Sequence, residues 1–281
     1  MFGFIWNVEF YLKEMCVVTS VQNNRYYTYN GEEYRRRSEG EEVLGYILAT
    51  AASGLVVKAL PSFSNPFLKQ MKQEHGNNHL YRDAFFKSIE NSGLKEKGVE
   101  FVDAAAAFNV SPDIKAGLNA CYIPTTKQVL LNSDKATISG FHELGHAMNH
   151  LKSNFGKILQ KARVPGYTIA GLMGTVAIFS RSKPKGAPRN PWDWVQDNCG
   201  KIAFAAMLPT VAEEGLASYK GIKLAKSAGL SEPLVKNLKK FYGKALLSYI
   251  GYALVTGVSV YAASKITEIF TRPKAVKHEY Y

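Results

Sequence analysis

Six histidines are spread over 281 residues, yet two of them stand four apart with a glutamate directly after the first, in Phe141-His142-Glu143-Leu144-Gly145-His146. Chance places His-Glu-x-x-His in such a chain on the order of one time in a hundred, so the grouping reads as a site built for a metal ion. On a helix, four residues at about 100° each return His146 to within about 40° of His142, one turn higher. Both imidazoles then project from one face and can share one cation. Glu143 lies beside that cation without ligating it. From there it can take a proton from a metal-activated water, whose pKa zinc lowers toward roughly 7, and later hand it to a leaving amine. Gly145 keeps the helix thin between the histidines, so another element can pack closely there.

A hydrolytic zinc site uses three protein ligands and keeps one position open for water. His150 continues the four-residue series, but on an unbroken helix its Cα lies about 12 Å along the axis from that of His142, too far for three rings to meet one ion. It reads as an accessory or surface histidine. The better candidates for the third ligand lie in Leu208-Pro209-Thr-Val-Ala-Glu213-Glu214-Gly-Leu-Ala-Ser218-Tyr219. With Pro209 in the first turn of a helix, Glu213 and Glu214 fall in an otherwise apolar run, where an ionised carboxylate is costly unless it is paired or binds metal. Glu90, Glu96 and Glu100 sit in polar surroundings. The Gly-led spacing of the metzincins is absent.

These elements resemble the membrane gluzincins, the HtpX-like and CAAX-prenyl-protease-like zinc metallopeptidases. FHELGH corresponds to the helix that supplies two ligands and the base. Glu214-Gly-Leu-Ala217-Ser218 corresponds in register to the later Glu-x-x-Ala-Asp element that supplies the third ligand. The resemblance implies a Zn2+ site of His142, His146 and Glu214, with Glu213 in reserve and Glu143 as the catalytic base. It also implies an edge strand at Asn119-Ala120-Cys121-Tyr122 and a pair of apolar helices between the ligand elements. It covers roughly Gly117 to Ala225. Ser218 stands where the family has an aspartate that orients a zinc histidine, which bears on catalytic efficiency more than on metal binding. Tyr219 is the nearest candidate in sequence for stabilising the transition state.

Several elements must position these groups. A helix is expected through ATISGFHELGHAMNHLK, capped by Ser133 or Asp134. Two short strands, Ala120 to Ile123 and Val129 to Asn132, are expected to form a hairpin. Helical spacing runs from Asn65 to Lys97 and ends at Gly98. Charge disappears from Val43–Val57, Val164–Ser180, Ile202–Ala212 and Ala245–Ser264. The last of these matches the roughly 20 residues a membrane-spanning helix needs, the second is near the lower limit, and the other two are short. Their Gly, Ala, Ser and Thr content suits closely approaching helices, in lipid or in a soluble core.

The formal charge of +12 suits nucleic acid or an anionic membrane surface. Lys and Arg cluster at the edges of the apolar runs, as at Arg35–Arg37, Arg163, Arg181 and Lys244, which favours the membrane over nucleic acid. Three scattered cysteines form no CxxC and suit a reducing compartment. The apolar N-terminus lacks the basic start and cleavage site of a signal peptide. A charged fraction of 21% and a hydrophobic fraction of 46% exclude wholesale disorder.

The expected fold is mainly α with a small β-hairpin or sheet, a zincin-like core and several transmembrane helices. Its segments are an N-terminal piece at 1–42, an apolar helix at 43–60, the zincin core at 61–163, an apolar hairpin at 164–212, and the third-ligand helix with a C-terminal membrane helix at 213–281. The expected function is a membrane-associated, multi-pass zinc metalloendopeptidase acting on polypeptides, membrane proteins among them. The alternatives are a membrane-anchored interaction protein with an inactive or structural zincin site, and a soluble zinc metallopeptidase.

Overall fold

Apolar residues recur at helical spacing through the second half of the chain, and there the backbone is helical almost without interruption. The computed structural model describes residues 26–29, 31–54, 69–70, 79–105, 110–135, 137–184 and 186–276. Strands β1 (Tyr26–Tyr29) and β2 (Glu32–Arg35) lead into helix α1 at 39–54 and α2, described at 69–70. Then come α3 (His79–Asn91), β3 (Glu100–Asp103), the single turn α4 (Pro112–Lys115), β4 (Ala120–Ile123) and β5 (Gln128–Leu131). Four helices follow, α5 (Thr137–Lys152), α6 (Asn154–Phe179), α7 (Pro191–Ser227) and α8 (Glu232–Thr271), before the short β6 (Lys274–Ala275). Residues 1–25 of the expected first segment (1–42), the end of the apolar run at 55–60 and most of the amphipathic stretch at 65–78 lie outside the described residues.

The described residues form two cores. One gathers α3, α5, the second sheet, the C-terminal end of α7 and the start of α8 around Phe85, Phe141, Leu144, Val129, Leu238 and Tyr242. Phe85 meets Phe141 edge to face at 5.6 Å and 87°, the geometry aromatic quadrupoles favour. The other core packs α1, α6, α7 and α8 on small side chains, including Ala49, Ala170, Ala203, Ala253 and Ala263. The sheet β1-β2-β6 lies at the far end of α8, where Arg37 donates to the carbonyls of Ile269 and Arg272 at 3.0 Å.

Beside the site, the expected hairpin forms with β5 one residue earlier than predicted, and Asn132 lies beyond it. A third strand, β3, pairs parallel to β5, giving the order β3-β5-β4 and leaving β4 as an edge strand. The α5 helix begins at Thr137, and neither Ser133 nor Asp134 serves as its cap. The Ser133 hydroxyl donates to Asp103, and Asp134 pairs with Arg82.

The helices of the second core are longer than composition suggested. At 1.5 Å per residue, α6, α7 and α8 run about 39, 56 and 60 Å. Pro165 and Pro209 lie inside α6 and α7, so Pro209 does not open a helix and the compositional borders at 163/164 and 212/213 fall within continuous elements. A proline removes one rung of the helical ladder, and packing along the length of both neighbours offsets that loss. Asn190 and Asp193 start α7 by capping each other's backbone N–H groups at 2.7 and 2.9 Å.

Among the described residues one helix, α8, is long and apolar enough to cross a membrane, with 22% of its most apolar window buried. Its outward face carries Leu247, Leu254, Val258 and Tyr261, and α6 turns out Val164, which is 72% exposed, with Ile169 and Leu172. Val43, Leu44 and Ile47 do the same on α1.

Candidate metal centre

Helix α5 holds the His-Glu-x-x-His grouping against the first core through Phe141, Leu144 and Ala147, all fully buried. With those side chains turned inward, helical periodicity aims His142 and His146 toward α7. The two helices meet backbone to backbone. A Cβ on Gly145 would stand 1.9 Å from the Ala217 carbonyl oxygen, and one on Gly221 would stand 2.4 Å from that of Phe141. Gly145 thus permits the close packing its position suggests, and α7 comes near enough to deliver Glu213 and Glu214.

Three atoms converge between the helices. His142 Nε2 lies 3.0 Å from Glu214 Oε2 and 3.0 Å from His146 Nε2, and His146 Nε2 lies 3.5 Å from the same carboxylate oxygen. A tetrahedral ion about 2.0–2.1 Å from each ligand keeps the ligands about 3.3 Å apart, so this triangle fits one cation. Charge points the same way. With both histidines neutral, as ligation requires, the carboxylates of Glu213 and Glu214 face one guanidinium, that of Arg163, and a cation between the rings would take the place of the proton that His146 otherwise holds. These buried His and Glu groups could therefore hold a metal ion.

The outer nitrogens of both rings are also engaged. His146 Nδ1 lies 2.8 Å from Glu213 Oε1, and His142 Nδ1 lies 3.1 Å from the Ser218 hydroxyl. Glu213, the reserve ligand of the sequence reading, is fully buried and meets the outer nitrogen of His146 from outside the three-atom triangle, while with His146 and Glu214 it forms a second group that could hold a metal ion. It also accepts from Asn149 Nδ2 at 2.9 Å and from Arg163 Nη1 at 2.9 Å. Ser218 orients His142 with a hydroxyl where the resembled family uses a carboxylate, while Glu213 supplies a carboxylate to the other histidine. Such outer contacts fix the ring tautomer and aim the inner nitrogen.

Glu143 is 9% exposed, with a carboxylate oxygen within 4.8 Å of ring nitrogens on both histidines. Its Oε2 accepts the Tyr122 backbone N–H at 2.7 Å, which ties this carboxylate to the open edge of β4. His150 is held away from the triangle by the Tyr122 hydroxyl, 2.8 Å from its Nδ1. Tyr219 is 63% exposed and turns outward from the helix. Tyr249 of α8 stands near both Glu214 and Glu143. Sequence reading passed over Arg163, Asn149 and Tyr249. Arg163 did carry a signal, as the last charge before the apolar run of α6, but that position reads equally well as a membrane flank.

Burial alone would lower the His146 pKa. The Glu213 and Glu214 carboxylates against its two nitrogens outweigh that and raise it to about 10. Burial would raise both glutamates, and their contacts with the histidines hold them below the usual carboxylate range instead.

No protein-family model matches the chain, and neither a curated protein nor a solved structure matches it.

Two outcomes are expected. Gly145→Ala pushes α7 off α5 and abolishes stoichiometric metal uptake, measured by metal analysis of the purified protein, whereas Gly171→Ala, where a Cβ meets open space, leaves it unchanged. In metal-free protein the raised His146 pKa stabilises the fold fully below about 6.5, and that contribution is lost as pH rises through about 10. Melting temperature of the metal-free protein therefore falls across this window, and metal-loaded protein, whose histidines are neutral ligands, does not follow it.

Proposed function

We propose that the chain is an integral, multi-pass membrane zinc metalloendopeptidase with a zincin-like core, in which His142, His146 and Glu214 hold the metal and Glu143 is the general base. The observation that carries this reading is the buried convergence of two imidazole nitrogens and one carboxylate oxygen, with a second carboxylate close by and uncommitted to the triangle. Two imidazoles and one carboxylate form the donor set that hydrolytic zinc sites use, with a position left for water.

Zinc bound there supplies Lewis acidity, lowering the pKa of a coordinated water to about 7 and polarising the scissile carbonyl. Glu143 accepts one proton of the attacking water as its oxygen adds to the carbonyl carbon, then delivers that proton to the amide nitrogen as the C–N bond breaks. A peptide lying extended along the open edge of β4 would compete for the Tyr122 N–H and so release the Glu143 carboxylate for this work. Tyr249, rather than Tyr219, is the side chain best situated to donate to the developing oxyanion.

The membrane assignment rests on the outward apolar faces of α1, α6 and α8, and on the way charge resumes at their ends. Arg163 directly precedes the exposed Val164, and Lys244 directly precedes the 20-residue apolar stretch of α8. The metal ligands are thus level with the edge of the apolar layer, which suits polypeptide segments at or near a membrane surface. These faces weigh against the soluble alternative.

The test uses the full chain in detergent with an unfolded protein substrate. Glu143→Gln should retain one equivalent of zinc and lose at least about 10²-fold in cleavage rate. Glu214→Ala should lose both zinc and cleavage. Cleavage surviving in Glu143→Gln would refute the mechanism.

A further inference from the structure

The hairpin helix α6 reaches the metal centre through one residue, Arg163, which none of the steps above uses. Its guanidinium is a fork. Nη1 meets Glu213 Oε2 at 2.9 Å, and Nη2 meets Glu214 Oε1 at 3.0 Å. The remaining oxygen of each carboxylate goes to histidine. Glu213 Oε1 meets the outer nitrogen of His146, and Glu214 Oε2 faces the inner nitrogens of both rings. Each glutamate is therefore held at both ends, and only one of the four oxygens points where an ion would sit.

We infer that Arg163 is a positioning residue for the metal, spanning the two adjacent glutamates so that Glu214 ligates through Oε2 alone and Glu213 stays on the outer face of His146. The inference rests on the metal-site reading above. Both carboxylates reach His146, Glu213 at 2.8 Å and Glu214 at 3.5 Å, so the two glutamates compete for the same ion unless something separates them. Both are buried, Glu213 completely and Glu214 at 2% exposure, so neither can turn to solvent instead. A planar guanidinium with fixed, diverging N–H groups satisfies two carboxylates at once, which the single ammonium of lysine does not. With Nη2 occupying Oε1, Glu214 cannot close on the ion with both oxygens, and the coordination position needed by water stays open. Without the fork, Glu214 can bind through two oxygens and Glu213 loses the cation that balances it.

The test is cobalt binding to the detergent-purified full chain, comparing wild type, R163K and R163Q. Visible absorption of Co2+ is intense in four-coordinate sites and weaker in five-coordinate ones, which reports geometry independently of activity. R163Q should bind Co2+ about 10- to 100-fold more weakly, the range expected when a partner of a ligand is lost, with a spectrum shifted toward five-coordination. R163K should fall between the two. Wild-type affinity together with a wild-type spectrum in R163K and R163Q would overturn the inference. Should R163Q fail to fold, R163Q/E213Q removes the buried carboxylate with its counter-ion, and a wild-type spectrum and affinity there overturn it equally. A wild type that binds no Co2+ would instead refute the underlying site reading.

Discussion

Two consecutive carboxylates, Glu213 and Glu214, are carried into a water-poor interior by a helix that is otherwise largely apolar. An ionised carboxylate there needs a partner, and removing one partner of a buried pair costs about 3–5 kcal/mol. Everything around the site answers that demand: two histidines from α5, one arginine from α6, and an asparagine beside them. Near neutral pH the protonated His146 and the Arg163 guanidinium match the two carboxylates. A divalent cation could replace the His146 proton there, so the cluster that constrains folding is also one that could hold a metal ion.

Bringing those partners together requires close approach of helices. The crossing of α5 and α7 is set by Gly145 and Gly221, each lying where any side chain would meet a carbonyl oxygen. The long α6 then folds back from α5 and runs beside α7, so that Arg163, only 17 residues beyond His146, reaches both glutamates. The two cores divide the labour. The aromatic core fixes the histidines and the edge strand, and the alanine-rich core extends the same helices into a bundle with an apolar exterior.

The metal grouping was legible because its geometry is local: four residues of helix bring two histidines to one face whatever surrounds them. The place of Glu214 beside His142 was legible by register, and the contact of Glu213 with His146 was not, because its partner lies 67 residues away. Arg163 was read as a flanking charge for a similar reason, since its partners lie 50 and 51 positions on. The helix borders were misjudged where proline was given its usual weight, and packing against two neighbours overrode it at Pro165 and Pro209. Strand β3 escaped notice because its four residues, Glu-Phe-Val-Asp, are too few for a periodic signal and their pairing with β5 is not local. The β1–β2 hairpin did carry a local signal, the Asn30-Gly31 pair between tyrosine-rich segments, which favours a tight turn.

X-ray absorption at the zinc edge, on detergent-purified protein loaded with one equivalent of Zn2+, tests the central claim most directly. The account predicts four light scatterers at about 2.0–2.1 Å, two of them imidazoles, and loss of the imidazole outer-shell features in His146→Ala. A sulfur scatterer near 2.3 Å, a spectrum without imidazole, or one unchanged in His146→Ala would contradict it.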